Sequence, residues 1–157
     1  MSIRVIAIGN PARGDDAVGP AIGRALAALA PPAEILAHSG EAAGLVELLS
    51  GCRAALLVDA GLSGGVPGTL AVLDAADGPL PRVAAASTHA LGLVEAVELA
   101  RALGALPPVC RLYAVEAAQF APGAPLDPAV AAAVEPVARR LADDVAALAG
   151  REVAADA

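Results

Sequence analysis

The chain contains no lysine and no tryptophan, and its only aromatic residues are Tyr113 and Phe120. All ten basic residues are arginine, so a Schiff-base lysine and the lysine of a phosphate-binding P-loop are both excluded. Two aromatic residues leave little for single-stranded nucleic acid to stack on. A net charge of −7 lacks the basic face with which nucleic-acid binders release counterions. Cys52 and Cys110 lie far apart without a C-x-x-C pair, which indicates buried, inert thiols rather than a zinc knuckle or a redox couple. No apolar run approaches the roughly 18 residues of a membrane-spanning helix. The opening MSIRVIAIGN holds one arginine and a short apolar run that leads straight into a turn, too short for the core of a signal peptide. These absences predict a cytoplasmic protein with neither nucleic-acid nor membrane partners.

What is present is a chain of 157 residues, 57% hydrophobic, long enough to bury roughly 68–70% of its unfolded surface as one domain. Ile3–Ile8 is a β-branched apolar run ending at Gly9, as in a buried parallel strand. Val18, Ile22, Leu26 and Leu29 then form one helical stripe that Pro31-Pro32 ends. A second strand is expected over Glu34–His38, a short helix carrying Leu45, Leu48 and Leu49, and a third strand over residues 54–58 that ends on Asp59. The loop GLSGGVPG, residues 61–68, is too short for a parallel crossover, so the strand expected over residues 69–73 should run antiparallel to the third. Residues 75–86 look irregular. Ser87 can cap a helix over residues 88–103 paced by Leu91, Val94 or Glu95, and Leu99. A last strand spans residues 109–115. Asp127 and Pro128 then start a helix striped by Val130, Val134, Val137, Leu141, Val145 and Leu148, which Pro136 should kink. The expected fold is a three-layer αβα domain, residues 1–150, with a mostly parallel twisted sheet of about five strands, one antiparallel, and a flexible tail over 151–157.

The stretch IAIGNPARGDDAVG, residues 6–19, joins a strand end, a glycine turn and two adjacent carboxylates. Gly9 and Gly14 have P-loop spacing, but Asp15 and Asp16 follow where Lys and Ser/Thr are needed, so the charge suits a cation rather than a phosphate. With strand 1 between strands 2 and 3, the ends of strands 1 and 3 flank the switch point where such sheets bind ligands, and Asp16 and Asp59 would meet there. His89, in the first turn of its helix, is the third candidate, because a helix N-terminus disfavours the imidazolium and leaves the ring able to ligate. Two carboxylates and an imidazole suit a divalent first-row ion with positions left open for water or substrate. Each also has a plainer role: Asp15 or Asp16 as a helix cap, Asp59 as the partner of a backbone N–H, His89 as a helix-start residue. His38, ending strand 2, is a substitute ligand.

Four ordered motifs, GNPARGDDAVGP, LLVDAG, PGT and STHALGL, together resemble a hydrogenase maturation protease over nearly the whole chain. The resemblance implies an endopeptidase that trims the C-terminal extension from the large-subunit precursor of a [NiFe] hydrogenase after nickel insertion; a monomer is expected. It implies that nickel is supplied by the precursor and recognised through Asp16, Asp59 and His89, which also carry the catalytic step. Asp16 stands where family members also carry Glu, a reach longer by one methylene. The segment His38-Ser39-Gly40-Glu41 departs from the Gly-Thr often found there. A self-contained metallohydrolase of a small substrate and a non-catalytic metal or nucleotide sensor are the alternatives on the same fold.

Overall fold

The computed structural model describes the backbone of residues 2–80 and 88–156, and the side chains of 2–80 and 92–151. The strands are β1 (Ile3–Ile8), β2 (Glu34–His38), β3 (Ala54–Gly61), β4 (Leu70–Asp74) and β5 (Val109–Glu116). The helices are α1 (Val18–Ala28), α2 (Ala42–Leu49), α3 (Thr88–Ala102) and α4 (Pro128–Asp156), with a single 3-10 turn, Gly14–Ala17, leading into α1. The sheet order is β2-β1-β3-β5-β4, all parallel except the β4–β5 pair. The helix α1 carries the chain from β1 to its neighbour β2, α2 carries it from β2 past β1 to β3, and β1 sits between β2 and β3 as expected.

Alternation along the strands sorts the core into two layers. Val5, Leu56, Val58 and Val115 face Ile22 and Leu26 of α1 and Val137, Leu141 and Val145 of α4. Ile6, Ile8, Leu57 and Leu112 face Leu45 and Leu49 of α2 and Leu93 and Val97 of α3. The strands β1 and β3 are buried on both sides, which is why they read as unbroken apolar runs. Among the described residues no helix is long and apolar enough to cross a membrane.

Several expectations are sharpened or corrected. The strand after the 61–68 loop does run antiparallel to β3, but its hydrogen-bonded neighbour is β5, with Leu70 opposite Val115. The buried β3 needs a ladder on both sides. β5 covers all eight of its residues, from Ala54↔Val109 to Gly61↔Glu116, while the half-exposed, five-residue β4 suits the sheet edge. β3 itself continues two residues beyond Asp59. The buried face of α3 is Leu93, Ala96, Val97 and Ala100, with Val94 packed against it and Leu99 exposed; half of that face is alanine, whose small side chain gives a weak apolar signal in sequence. Leu29 also lies exposed, one residue past the end of α1. The helix α4 continues past Gly150 to Asp156, with Pro136 inside it. Asp127 opens that helix as expected, its Oδ1 accepting from Ala129 N–H at 2.9 Å. The proposed Ser87 cap lies outside the described residues.

Candidate active site

β1 ends at Ile8, and the chain turns at Gly9 with φ +146°. A Cβ there would lie 2.1 Å from the Asp16 carbonyl oxygen, so only glycine lets the 3-10 turn fold back over the strand end. That turn packs against β3 and holds Asp16 in an almost fully buried position, with Oδ2 accepting from Asn10 N–H at 3.0 Å. The carboxylate lines a cleft of about 870 Å3 above the ends of β1 and β2, together with Asn10, Arg13, Arg24, His38 and Glu41.

Asp59 follows Val58, which pairs with Ala7, so it stands level with the end of β1. It shares the sheet face of Ala55 and Leu57, both of which pack towards α2 and α3. Its carboxylate is buried, and Oδ1 accepts from the N–H of Ala60 at 2.8 Å. The helix α3 reaches the same end of the sheet. Gly92 lines the cleft, and a Cβ on it would meet Gly40 O at 2.4 Å, so the backbone of α3 lies directly against the β2–α2 connection. His89 is the second residue of α3, one turn before Gly92 and on the same side of the helix by register, while its side chain lies outside the described residues. Among the described side chains, no three of the His, Cys, Asp and Glu type come together as a metal site.

The fold that carries these residues recurs in solved proteins. The solution structure of an endopeptidase from Escherichia coli is 28% identical, with a TM-score of 0.80 and 90% of each chain covered. The hydrogenase maturating endopeptidase HybD from E. coli is 26% identical, with a TM-score of 0.74 and again 90% of each chain. The [NiFe] hydrogenase maturation protease HybD from Thermococcus kodakarensis, at 24% identity and a TM-score of 0.72 over 90% of this chain and 99% of its own, shares the fold. No curated protein sequence matches significantly. The sequence model for hydrogenase maturation protease matches residues 31–144. The chain belongs to the hydrogenase maturation protease family.

The protease is therefore a hydrolase, an endopeptidase by its family. The family match begins after α1, so the Gly9–Asp16 turn rests on its own geometry and on the structural similarity. In the protease neither acidic residue caps the helix behind it: the N-cap of α1 is Ala17, with no side-chain cap bond. Asp15, which sequence pattern marks only as a cap, instead joins distant backbone. Its Oδ2 accepts from Ala118 N–H at 2.7 Å and Gln119 N–H at 3.1 Å, and its Oδ1 from Asp127 N–H at 2.7 Å. His38 lines the cleft, but its Nδ1 accepts from Gly40 N–H at 2.9 Å, which directs that nitrogen at the backbone rather than at Asp16. Glu41 caps α2 by accepting from Gly44 N–H.

A further buried carboxylate of the protease, Glu116, escaped the sequence reading. It accepts from Ser63 N–H at 2.9 Å, Ser63 Oγ–H at 2.8 Å and Gly65 N–H at 2.6 Å, and so fastens the loop after β3 to β5. The only hint in sequence is a glutamate closing an apolar strand. Both cysteines are buried and free. Burial pushes the Cys110 thiol up to about 12, with the nearby Cys52 adding to it, and burial also raises Cys52. Neither thiol is poised as a nucleophile.

Proposed function

We propose that this protease removes the C-terminal extension of a [NiFe]-hydrogenase large-subunit precursor once nickel has been inserted, and that Asp16, Asp59 and His89 recognise that nickel. The observation that carries the reading is a pair of almost fully buried carboxylates, Asp16 and Asp59, brought by separate elements to the switch point between β1 and β3. Carboxylates suit a hard or borderline cation, and the imidazole of His89 would complete a set that leaves positions open for the precursor's own ligands. The nickel belongs to the substrate. Asp16, Asp59 and His89 would hold the ion, which would supply Lewis-acid polarisation of the scissile carbonyl or an attacking water, and the carboxylates would fix its position or take a proton. An acidic chain is compatible with a metalloprotein partner.

The test is to incubate the protease with nickel-loaded and nickel-free precursor and to follow the intact mass of the large subunit. Loss of a C-terminal peptide only from the loaded form is expected. The variants Asp16→Asn, Asp59→Asn and His89→Gln should each slow cleavage by about 100-fold or more, the scale of losing a positioned acid–base or charge-stabilising group. Equal cleavage of nickel-free precursor, or full activity in all three variants, would refute the assignment.

A further inference from the structure

The cleft carries a charge pattern that metal recognition does not use. Arg13 and Arg24 both line it, Arg13 from the turn after β1 and Arg24 from α1, one helical turn beyond Pro20, which also lines it. Among the described residues neither guanidinium has a hydrogen-bond or ion-pair partner, whereas Arg4, Arg101, Arg139 and Arg140 are all paired. The Arg13 backbone is fixed: its N–H donates to Asn10 O, its carbonyl accepts from Asp16 N–H, and it bridges to Pro122. The acidic groups facing the same space are occupied, Asp16 Oδ2 by Asn10 N–H and Glu41 by Gly44 N–H. His38 is the remaining titratable group there. In a chain of net charge −7, two unpaired arginines in one groove make a local cationic end beside an anionic one.

We propose that Arg13 and Arg24 form a substrate-reading subsite that takes a carboxylate of the peptide lying in the cleft. The inference rests on the protease reading above, because the cleft must hold a peptide for the subsite to act. A guanidinium presents a planar fork matched to a carboxylate, and a groove offering two of them selects an acidic peptide over a neutral one of the same shape. The carboxylate is either an Asp or Glu side chain or the free C-terminus of the extension, since the chemistry recognised is the same.

The experiment titrates 15N-labelled protease with the peptide Ala-Glu-Ala-Asp-Ala-Ala in three forms: free acid, C-terminal amide, and amide with Gln and Asn replacing Glu and Asp. Amide shifts at Gly9, Gly40 and Gly92 report on the cleft. The acidic peptides should bind about five- to tenfold more tightly than the neutral one, the scale of one or two partly exposed charge pairs. The Arg13→Gln/Arg24→Gln protein, with its remaining spectrum unchanged, should abolish that preference. A gap between free acid and amide assigns the terminal carboxylate, and equal binding of those two assigns the side chains. Equal affinity for all three peptides, a preference that survives in the double variant, or reproduction of the same shifts by inorganic phosphate would overturn the subsite. Because the readout needs neither nickel nor cleavage, it stands apart from the test of the proposed function.

Discussion

The deepest consequence of the turn lies in Asp15 rather than in Asp16. Its buried carboxylate accepts three backbone N–H groups more than 100 residues away, at 2.7, 3.1 and 2.7 Å, and thereby clamps the floor of the cleft to the β5–α4 loop. A hydrogen bond to a charged group contributes about 1.5–3 kcal/mol, and a buried donor left without one costs about 1–3 kcal/mol. Asp15→Ala removes both acceptor oxygens and with them all three bonds, a loss of about 4.5–9 kcal/mol that approaches the whole stability of many domains. The informative variant is Asp15→Asn. Its amide oxygen can replace Oδ2 and keep the Ala118 and Gln119 bonds, but its NH2 then faces the Asp127 N–H, donor against donor. The expected cost is about 2–3 kcal/mol, which lowers the urea midpoint by about 1–1.5 M at a slope near 2 kcal/mol/M. Reversible urea unfolding at pH 7, followed by far-UV circular dichroism, measures it. A midpoint within about 0.2 M of the parent protein would refute the clamp, because it would mean the three N–H groups find equivalent partners without the charge.

Gly92→Ala should push α3 off the β2–α2 connection, since its Cβ would lie 2.4 Å from Gly40 O. An overpacking cost of about 1–3 kcal/mol in thermal unfolding and slower precursor cleavage are expected, and an unaltered cleavage rate would show that the α3 start need not sit there. In alkali, Cys110 and Tyr113 both keep their protons to about pH 12 in the folded protein, Tyr113 through burial and then its hydrogen bond to Asp144. The unfolded chain releases them near the ordinary values of 9.0 and 10.0, so stability present below pH 9 falls as pH rises. Cys52, also raised by burial, adds to the fall in the same direction, so the slope should be at least about 1.4 kcal/mol per pH unit once the thiols titrate in the unfolded chain and should steepen by about as much again once Tyr113 joins. Urea midpoints at pH 8, 9.5 and 10.5 read the fall, and an unchanged midpoint refutes it. Tyr113→Phe should cost about 1 kcal/mol at pH 7 by removing the bond to Asp144 and should flatten the steeper segment above pH 10.

Local pattern was enough for much of this protein. Apolar β-branched runs, glycine and proline punctuation and helical stripes place β1 and β2 at Ile3–Ile8 and Glu34–His38, because those signals act between neighbours in the chain. Four ordered motifs likewise point to the family. They also select Asp16, Asp59 and His89 as candidates, because carboxylates and histidines at element ends are visible in one dimension. Packing decided the rest. Whether β4 pairs with β3 or β5 depends on which strand buries more surface, a comparison between segments some 40 residues apart. The face that α3 turns inward is half alanine, whose small side chain gives a weak apolar signal in sequence. Asp15 and Asp16 are adjacent and chemically alike, yet one clamps distant backbone while the other lines the cleft, because only the folded turn directs their side chains to different neighbours. Arg13 and Arg24 stand 11 positions apart and share a groove for the same reason: a glycine turn and the first two turns of α1 bring them to the same cleft.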